Sequence, residues 1–208
     1  MPFQLTSEEG SFLVKLARKA VKEFLETGEI PPVPSDTPSK FQETCGVFVT
    51  ISSVMHGDKA LRGCIGLPYP TVPLIRGVIG SAINSATQDP RFPRVSPGEL
   101  DHLIFEVSVL TSPKLVEVKK PTDYPSKIRV GQDGLIVERG YSKGLLLPQV
   151  PVEWNWNEEE FLCQCCMKAG LTPDCWLLES TRIYTFSCII SQESSPNGKV
   201  TVKDMRTP

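Results

Sequence analysis

Residues 61–66 read Leu-Arg-Gly-Cys-Ile-Gly, and they hold the side chains best suited to chemistry. Along a strand, side chains alternate between faces, so Arg62 and Cys64 share one face while Leu61, Gly63 and Ile65 share the other. A guanidinium beside a cysteine favours the thiolate, the nucleophilic form. Gly63 and Gly66 weaken a strand unless another backbone or a ligand comes close there. The plainer alternative is a small buried cysteine packed next to a surface arginine. A nucleophilic Cys64 needs a general base. Of the two histidines, His56 falls on a turn with a surface role and His102 opens a strand. Glu106 could serve as the base if burial raised its pKa.

Metal binding is the other use of cysteine. Cys163, Cys165 and Cys166 contain a C-x-x-C, but on a helix Cys165 points away from the other two. A structural zinc site takes four ligands, usually from two such knuckles. Cys175 is nearby and has no partner at that spacing. The cluster also lies in the second half of a helix, where the dipole disfavours thiolates. Neither a metal nor a cofactor is expected, and no phosphate-binding glycine loop, HExxH or Ser-His-Asp ordering stands out. Trp154 and Trp156 read as packing anchors rather than a stacking platform.

The elements that must position these residues follow from periodicity. Thr6 and Glu9 form a capping box ahead of Leu13, Leu16, Ala17, Ala20, Val21, Phe24 and Leu25, so a helix runs to Gly28. Four prolines in residues 30–38 end it. Gly46–Val54 and Ala60–Gly66 read as a hairpin around His56-Gly57-Asp58. Pro73 and the apolar set from Leu74 to Ala86 predict a second helix that stops at Asp89-Pro90; within it, Gly77 and Gly80 are explained by close packing on a sheet. His102–Leu110 alternates as a strand, with Glu106 and Ser108 on its more polar face. Two strands are expected within 128–147 around Gln132-Asp133-Gly134, followed by a turn at 140–144. A helix opens at Asn157 and Glu160 and ends at Gly170. Arg182–Ile190 reads as one last strand, and 193–208 as a frayed end or an edge hairpin. Without regular β-α-β spacing, the fold class is α+β, with a mainly antiparallel or mixed sheet flanked by helices.

Composition bounds the rest. A chain of 208 residues, 40% hydrophobic and 22% charged, is globular. It can bury roughly 70% of its unfolded surface without a disulfide or metal staple. Lys and Arg number 22 against 24 Asp and Glu, a net charge of −2, so the basic field of a nucleic-acid binder is absent. The first residues lack a basic start and an apolar core, and no apolar run approaches the ~18 residues of a membrane span. A reducing cytoplasm is therefore expected, with all seven cysteines as free thiols.

Leu61–Gly66 resembles the signature of the AMMECR-domain family. The likeness continues through Asp89-Pro-Arg-Phe-Pro93, Glu106–Leu110, Gly144–Val150, the Glu153–Trp156 stretch and Cys166–Leu171. These blocks span roughly residues 10–190 in family order. Val95-Ser-Pro and Pro151-Val-Glu depart slightly from the pattern. The resemblance implies one AMMECR-type domain over 1–208, with a larger α/β body and a small lobe from part of 110–150. It implies no settled reaction. By association it implies a Memo-type or a radical-SAM protein as partner, and a modification pathway.

Among the matched residues, Arg62, Cys64, Asp89, Arg91, Glu106, Ser108, Gln149 and Glu153 are polar without an evident folding role. With Gly63 and Gly66 they make up the candidate site, Cys64 and Glu106 being the catalytic pair. Asp89 can equally cap a turn, and Gln149 can brace a loop. If they converge, arginine forks among carboxylates and a thiol suit a small polar or anionic ligand. The first function expected is an enzyme or small-molecule binder centred on 61–66. The alternative is a non-catalytic interaction or regulatory module.

Overall fold

The computed structural model describes residues 3–55 and 58–206; the turn residues His56 and Gly57 lie outside the described residues. The strands are β1 (Gly46–Met55), β2 (Asp58–Leu67), β3 (Leu103–Leu110), β4 (Lys114–Leu115), β5 (Gly134–Arg139), β6 (Ser142–Leu146), β7 (Arg182–Phe186), β8 (Cys188–Glu193) and β9 (Val200–Asp204). The helices are α1 (Ser7–Thr27), α2 (Leu74–Thr87), α3 (Gln149–Glu153) and α4 (Glu158–Lys168). They form an α+β fold with two sheets, ordered β2-β1-β3-β8-β9 and β4-β7-β5-β6. The chain divides into two compact units, residues 1–110 with 189–203, and residues 111–188 with 204–208.

In the first unit, α1 starts where its capping box predicts. The Thr6 N–H donates to the Glu9 carboxylate at 2.8 Å and the Glu9 N–H donates to Thr6 Oγ1 at 3.2 Å. The helix ends at Gly28, whose φ of 77° is left-handed. Its apolar stripe, Leu13, Leu16, Ala17, Ala20 and Val21, is buried with the α2 residues Leu74, Ile75, Val78 and Ala82. Both pack with one face of the sheet, formed by Val47, Val49, Ile51, Phe105, Val107 and Val109. Alternation along β1 and β3 therefore leaves Phe48, Thr50, Glu106 and Ser108 on the other face. Close packing on the sheet accounts for Gly77, where a Cβ would lie 2.8 Å from Val47, but not for Gly80, which has open space around it.

In the second unit, β5 is antiparallel to both β6 and β7. Leu135, Val137, Ile183, Phe161, Leu162 and Cys165 make its core. Cys165 Sγ donates to the Gly144 carbonyl at 3.5 Å. Burial pushes this thiol up to about 12, so it is an inert packing group.

Three expectations are corrected. Residues 128–133 form a turn, because the Asp133 carboxylate accepts the Arg129 N–H at 2.9 Å, and the two strands of that region are Gly134–Arg139 and Ser142–Leu146. Arg182–Ile190 is two strands, β7 and β8, which belong to different sheets. The break is at Ser187, whose N–H donates to Thr111 Oγ1 at 2.9 Å and whose carbonyl accepts the Thr111 N–H at 2.8 Å. Finally, the cysteines are not all thiols: Cys166 and Cys175 form a disulfide. A search for pairs at helical spacing misses it, because the chain reverses after Gly170 and returns Cys175 to α4. Closing so short a loop is worth about 2–3 kcal/mol through the unfolded state. Cys45, Cys64, Cys163, Cys165 and Cys188 remain thiols.

No helix among the described residues is long and apolar enough to cross a membrane. No group of three or more His, Cys, Asp and Glu side chains among them is placed to hold a metal ion.

Candidate functional site

The Leu61–Gly66 segment is most of β2, an edge strand that pairs with β1 alone among the described residues. Ile51 lies opposite Gly63 but Ser52 lies opposite Leu61, so Arg62 is the extra residue of a β-bulge. A bulge re-aims the side chain it carries. The Arg62 guanidinium donates to the Glu99 carboxylate at 2.8 and 3.3 Å and to the Pro93 carbonyl at 2.8 Å. The simple alternation that set Arg62 beside the thiol does not hold, and its charge is engaged by Glu99.

The two glycines admit neighbouring backbone. A Cβ on Gly63 would sit 2.0 Å from the Ser85 carbonyl oxygen of α2, and one on Gly66 would sit 2.3 Å from the Val47 carbonyl oxygen and 2.4 Å from the Phe48 ring. At Gly63 this lets Ser85 reach the sheet. Its hydroxyl accepts the Ile65 N–H at 2.8 Å and donates to the Val49 carbonyl at 2.7 Å.

Cys64 is the member of the segment that packing explains least. Its backbone is held from outside the sheet: the N–H donates to Asp89 Oδ2 at 2.8 Å, and the carbonyl accepts from Arg91 at 3.4 Å. Its half-buried thiol accepts a hydrogen bond from Thr50 Oγ1 at 3.3 Å. Burial pushes the thiol pKa up, with Glu106 and Asp89 adding to the rise, and this outweighs the Thr50 hydroxyl and the Arg91 charge. At neutral pH the group rests as a thiol, not as the thiolate that an adjacent arginine would favour.

Asp89 does more than cap a turn. It accepts the Arg91 N–H at 3.1 Å and the Arg91 guanidinium at 2.9 and 2.7 Å while holding β2. The Arg91 guanidinium, with the Cys64 and Arg91 backbone N–H groups, keeps this carboxyl at about 2. A depressed carboxyl stabilises the fold fully above its unfolded pKa of about 4, and the contribution fades as pH falls through the folded value. Because the Arg91 side chain is about half exposed, on the order of 1–2 kcal/mol is expected. Denaturant titrations from pH 5 to pH 2 should show this loss in the wild type, and Asp89→Asn should flatten that acid limb.

Glu106 and Ser108 lie across β1 from this segment. The register pairs Thr50 with both Cys64 and Glu106, and Phe48 with both Gly66 and Ser108. Cys64, Thr50 and Glu106 thus form one row across three strands, on the face opposite the core. The row extends to β8, where Gln192 Nε2 donates to Glu106 Oε2 at 2.5 Å; Ser108 Oγ donates to the other carboxylate oxygen at 3.4 Å. Sequence reasoning missed Thr50 and Gln192. Counting back from the hairpin turn could have found Thr50, although the bulge shifts the count. No local signal marks Gln192, which is 86 positions from its partner.

Gln149 and Glu153 belong to the second unit, at the two ends of α3. The Gln149 Oε1 is buried without a hydrogen-bond partner, so it braces no loop through that atom. Glu153 is exposed beside Trp154. The other eight candidates all lie in the first unit.

Comparison with known proteins covers nearly the whole chain. The AMMECR1 family model matches residues 14–191. Protein PH0010 of Pyrococcus horikoshii is 52% identical, over 99% of this chain and 100% of its own length. A Methanothermobacter thermautotrophicus protein is 54% identical over 91% of this chain and 96% of its own. The crystal structure of PH0010 superposes with a TM-score of 0.93, covering 97% of this chain and 100% of that one. A family model spanning residues 14–191 and a relative 52% identical over its whole length agree: the chain belongs to the AMMECR1 family.

Proposed function

We propose that the sheet face carrying Cys64, Thr50 and Glu106 binds a small polar molecule and that the Cys64 thiol is its reactive group. The observation that carries this reading is the cross-strand row itself: a half-buried thiol, a hydroxyl and a carboxylate side by side on a face the core does not use. The strand carrying the thiol is clamped by Asp89 and Arg91. Such rigidity is what a binding group needs to hold its position.

Arg62 and Arg91 are each matched by a carboxylate, so the ligand class is neutral or zwitterionic rather than a multiply charged anion. Strands in a sheet lie about 4.8 Å apart, which puts Cys64 and Glu106 roughly 10 Å apart along the row. Glu106 can therefore take the thiol proton only through a bound molecule or water. In that scheme the resting protein keeps Cys64 protonated, and reaction begins when a ligand bridges the row.

Thermal shift against a panel of neutral and zwitterionic metabolites tests this, with Cys64 alkylation followed by peptide-resolved mass spectrometry. A ligand at about 100 times its Kd contributes about 2.7 kcal/mol, or roughly 5–10 °C in a domain of this size. It should also protect Cys64 from iodoacetamide. Cys64→Ala and Glu106→Gln should keep the unliganded melting point and lose the shift. A ligand that stabilises all three proteins equally, or leaves Cys64 alkylation unchanged, would place its binding elsewhere and refute the reading.

A further inference from the structure

A second surface, independent of the sheet site, lies at the end of α3. Trp154 is 68% exposed and Val152 58% exposed, while Trp156 packs against the second core. The two indoles stack with centroids 6.1 Å apart and planes inclined by 16°. Trp156 stacks along one face of the Trp154 ring, and the 68% exposure of Trp154 leaves an open face to solvent. The anchor expectation thus describes Trp156 alone, and Trp154 is a platform resting on it.

The platform stands on ordered backbone. The Trp154 N–H donates to the Val150 carbonyl at 3.2 Å, and the Trp156 N–H donates to the Pro151 carbonyl at 2.8 Å. Between them Asn155 takes a left-handed φ of 53°, a conformation asparagine tolerates better than most residues. A ring already fixed in its binding position loses little freedom on contact. Within five positions on either side stand Glu153, Glu158 and Glu159, none of which forms an ion pair among the described residues. Glu160 is committed to the α4 cap, accepting the Asn157 N–H at 2.9 Å.

We propose that this surface docks a basic, Lys- or Arg-bearing segment of a partner protein, with one cationic side chain over the open face of Trp154 and its neighbours against Glu153, Glu158 and Glu159. An indole face is the strongest aromatic acceptor for such a cation. The carboxylates select it by charge and repel phosphate backbones. They also disfavour a second copy of the chain, since a twofold contact would set the same three carboxylates against themselves.

The test titrates the full chain into a fluorescein-labelled dodecapeptide of Lys, Arg and Ser, and into its Glu- and Asp-substituted counterpart, by fluorescence anisotropy. The basic peptide should bind and the acidic one should not. Trp154→Ala should weaken binding about tenfold or more, as loss of a central aromatic anchor does. Glu153→Gln with Glu159→Gln should weaken it and flatten its salt dependence. Both variants should melt with the wild type; if Trp154→Ala does not, Trp154→Leu, which keeps apolar bulk without an aromatic face, and Glu159→Lys carry the same comparison. The proposal is overturned by equal binding of the acidic peptide, by unchanged affinity in the variants, or by no binding at millimolar protein. A concentration-dependent dimer in sedimentation that Trp154→Ala abolishes would also overturn it, making a second copy the occupant.

Discussion

Gly63→Ala is expected to destabilise the protein by about 3 kcal/mol, the upper end for overpacking against a rigid neighbour. In a chain of this size that lowers the melting point by roughly 6–12 °C. The new Cβ would meet the Ser85 carbonyl oxygen at 2.0 Å and its carbonyl carbon at 3.0 Å. Both are main-chain atoms of α2, so no rotamer change relieves the clash and the helix itself must move. Moving it pulls the Ser85 hydroxyl from the Ile65 N–H and the Val49 carbonyl, which lie in adjacent strands. Gly80→Ala is the control. It is on the same helix with nothing within 4 Å of the added methyl, so the substitution should gain up to about 1 kcal/mol from helix propensity. Equal and small effects at the two positions in denaturant melts would show that α2 does not press on β2 as described.

The second large effect belongs to Glu193. Arg18 on α1 forks onto this carboxylate at 2.8 and 2.5 Å, and the Phe105 N–H donates to it at 2.9 Å. The same guanidinium donates to the Leu100 carbonyl at 2.9 Å and the Leu103 carbonyl at 2.6 Å, and lies 4.6 Å from the centroid of the Phe105 ring. With Arg18 14% exposed and Glu193 3%, either charge left alone would be stranded away from water. Glu193→Ala should therefore cost about 3–5 kcal/mol. Replacing both, as Arg18→Met with Glu193→Leu, should cost clearly less, because no charge is then left unpaired. A double-mutant cycle reads the difference. A double variant as unstable as the sum of the single ones would mean that the groups act separately. The pair also ties β8 to α1 and β3, so its loss should be felt throughout the first unit.

Much of the fold was legible because its signals are local. The α1 capping box, the α4 capping box at Asn157 and Glu160, and the Gly28 stop each involve groups within four residues of one another. Period-two alternation sorted β3 into a core face and a polar face, and the structure keeps that sorting. The two glycines of β2 pointed to a close approach before any partner for it could be named. At Gly63 that partner is α2 backbone.

What failed did so where a distant partner decides the outcome. Alternation set Arg62 beside Cys64, but a bulge displaces Arg62, and Glu99, 37 positions away, engages its guanidinium. Cys166 found Cys175 only because the chain turns back after Gly170. Arg182–Ile190 reads as one strand because nothing local marks Ser187 as the residue where pairing passes from one sheet to the other.

The sequence by itself therefore determined the long helices and most of the strands, which faces are apolar, and that Leu61–Gly66 is the segment to question. Those properties come from hydrogen bonds and side-chain spacing within a turn or two of the chain. Only the tertiary structure decided that Cys64 sits in a row with Thr50, Glu106 and Gln192, with Asp89 gripping its backbone. A row across strands depends on register, and register is set by the bulge, the core packing and the loops that return each strand. Its members are joined across the sheet, not along the chain.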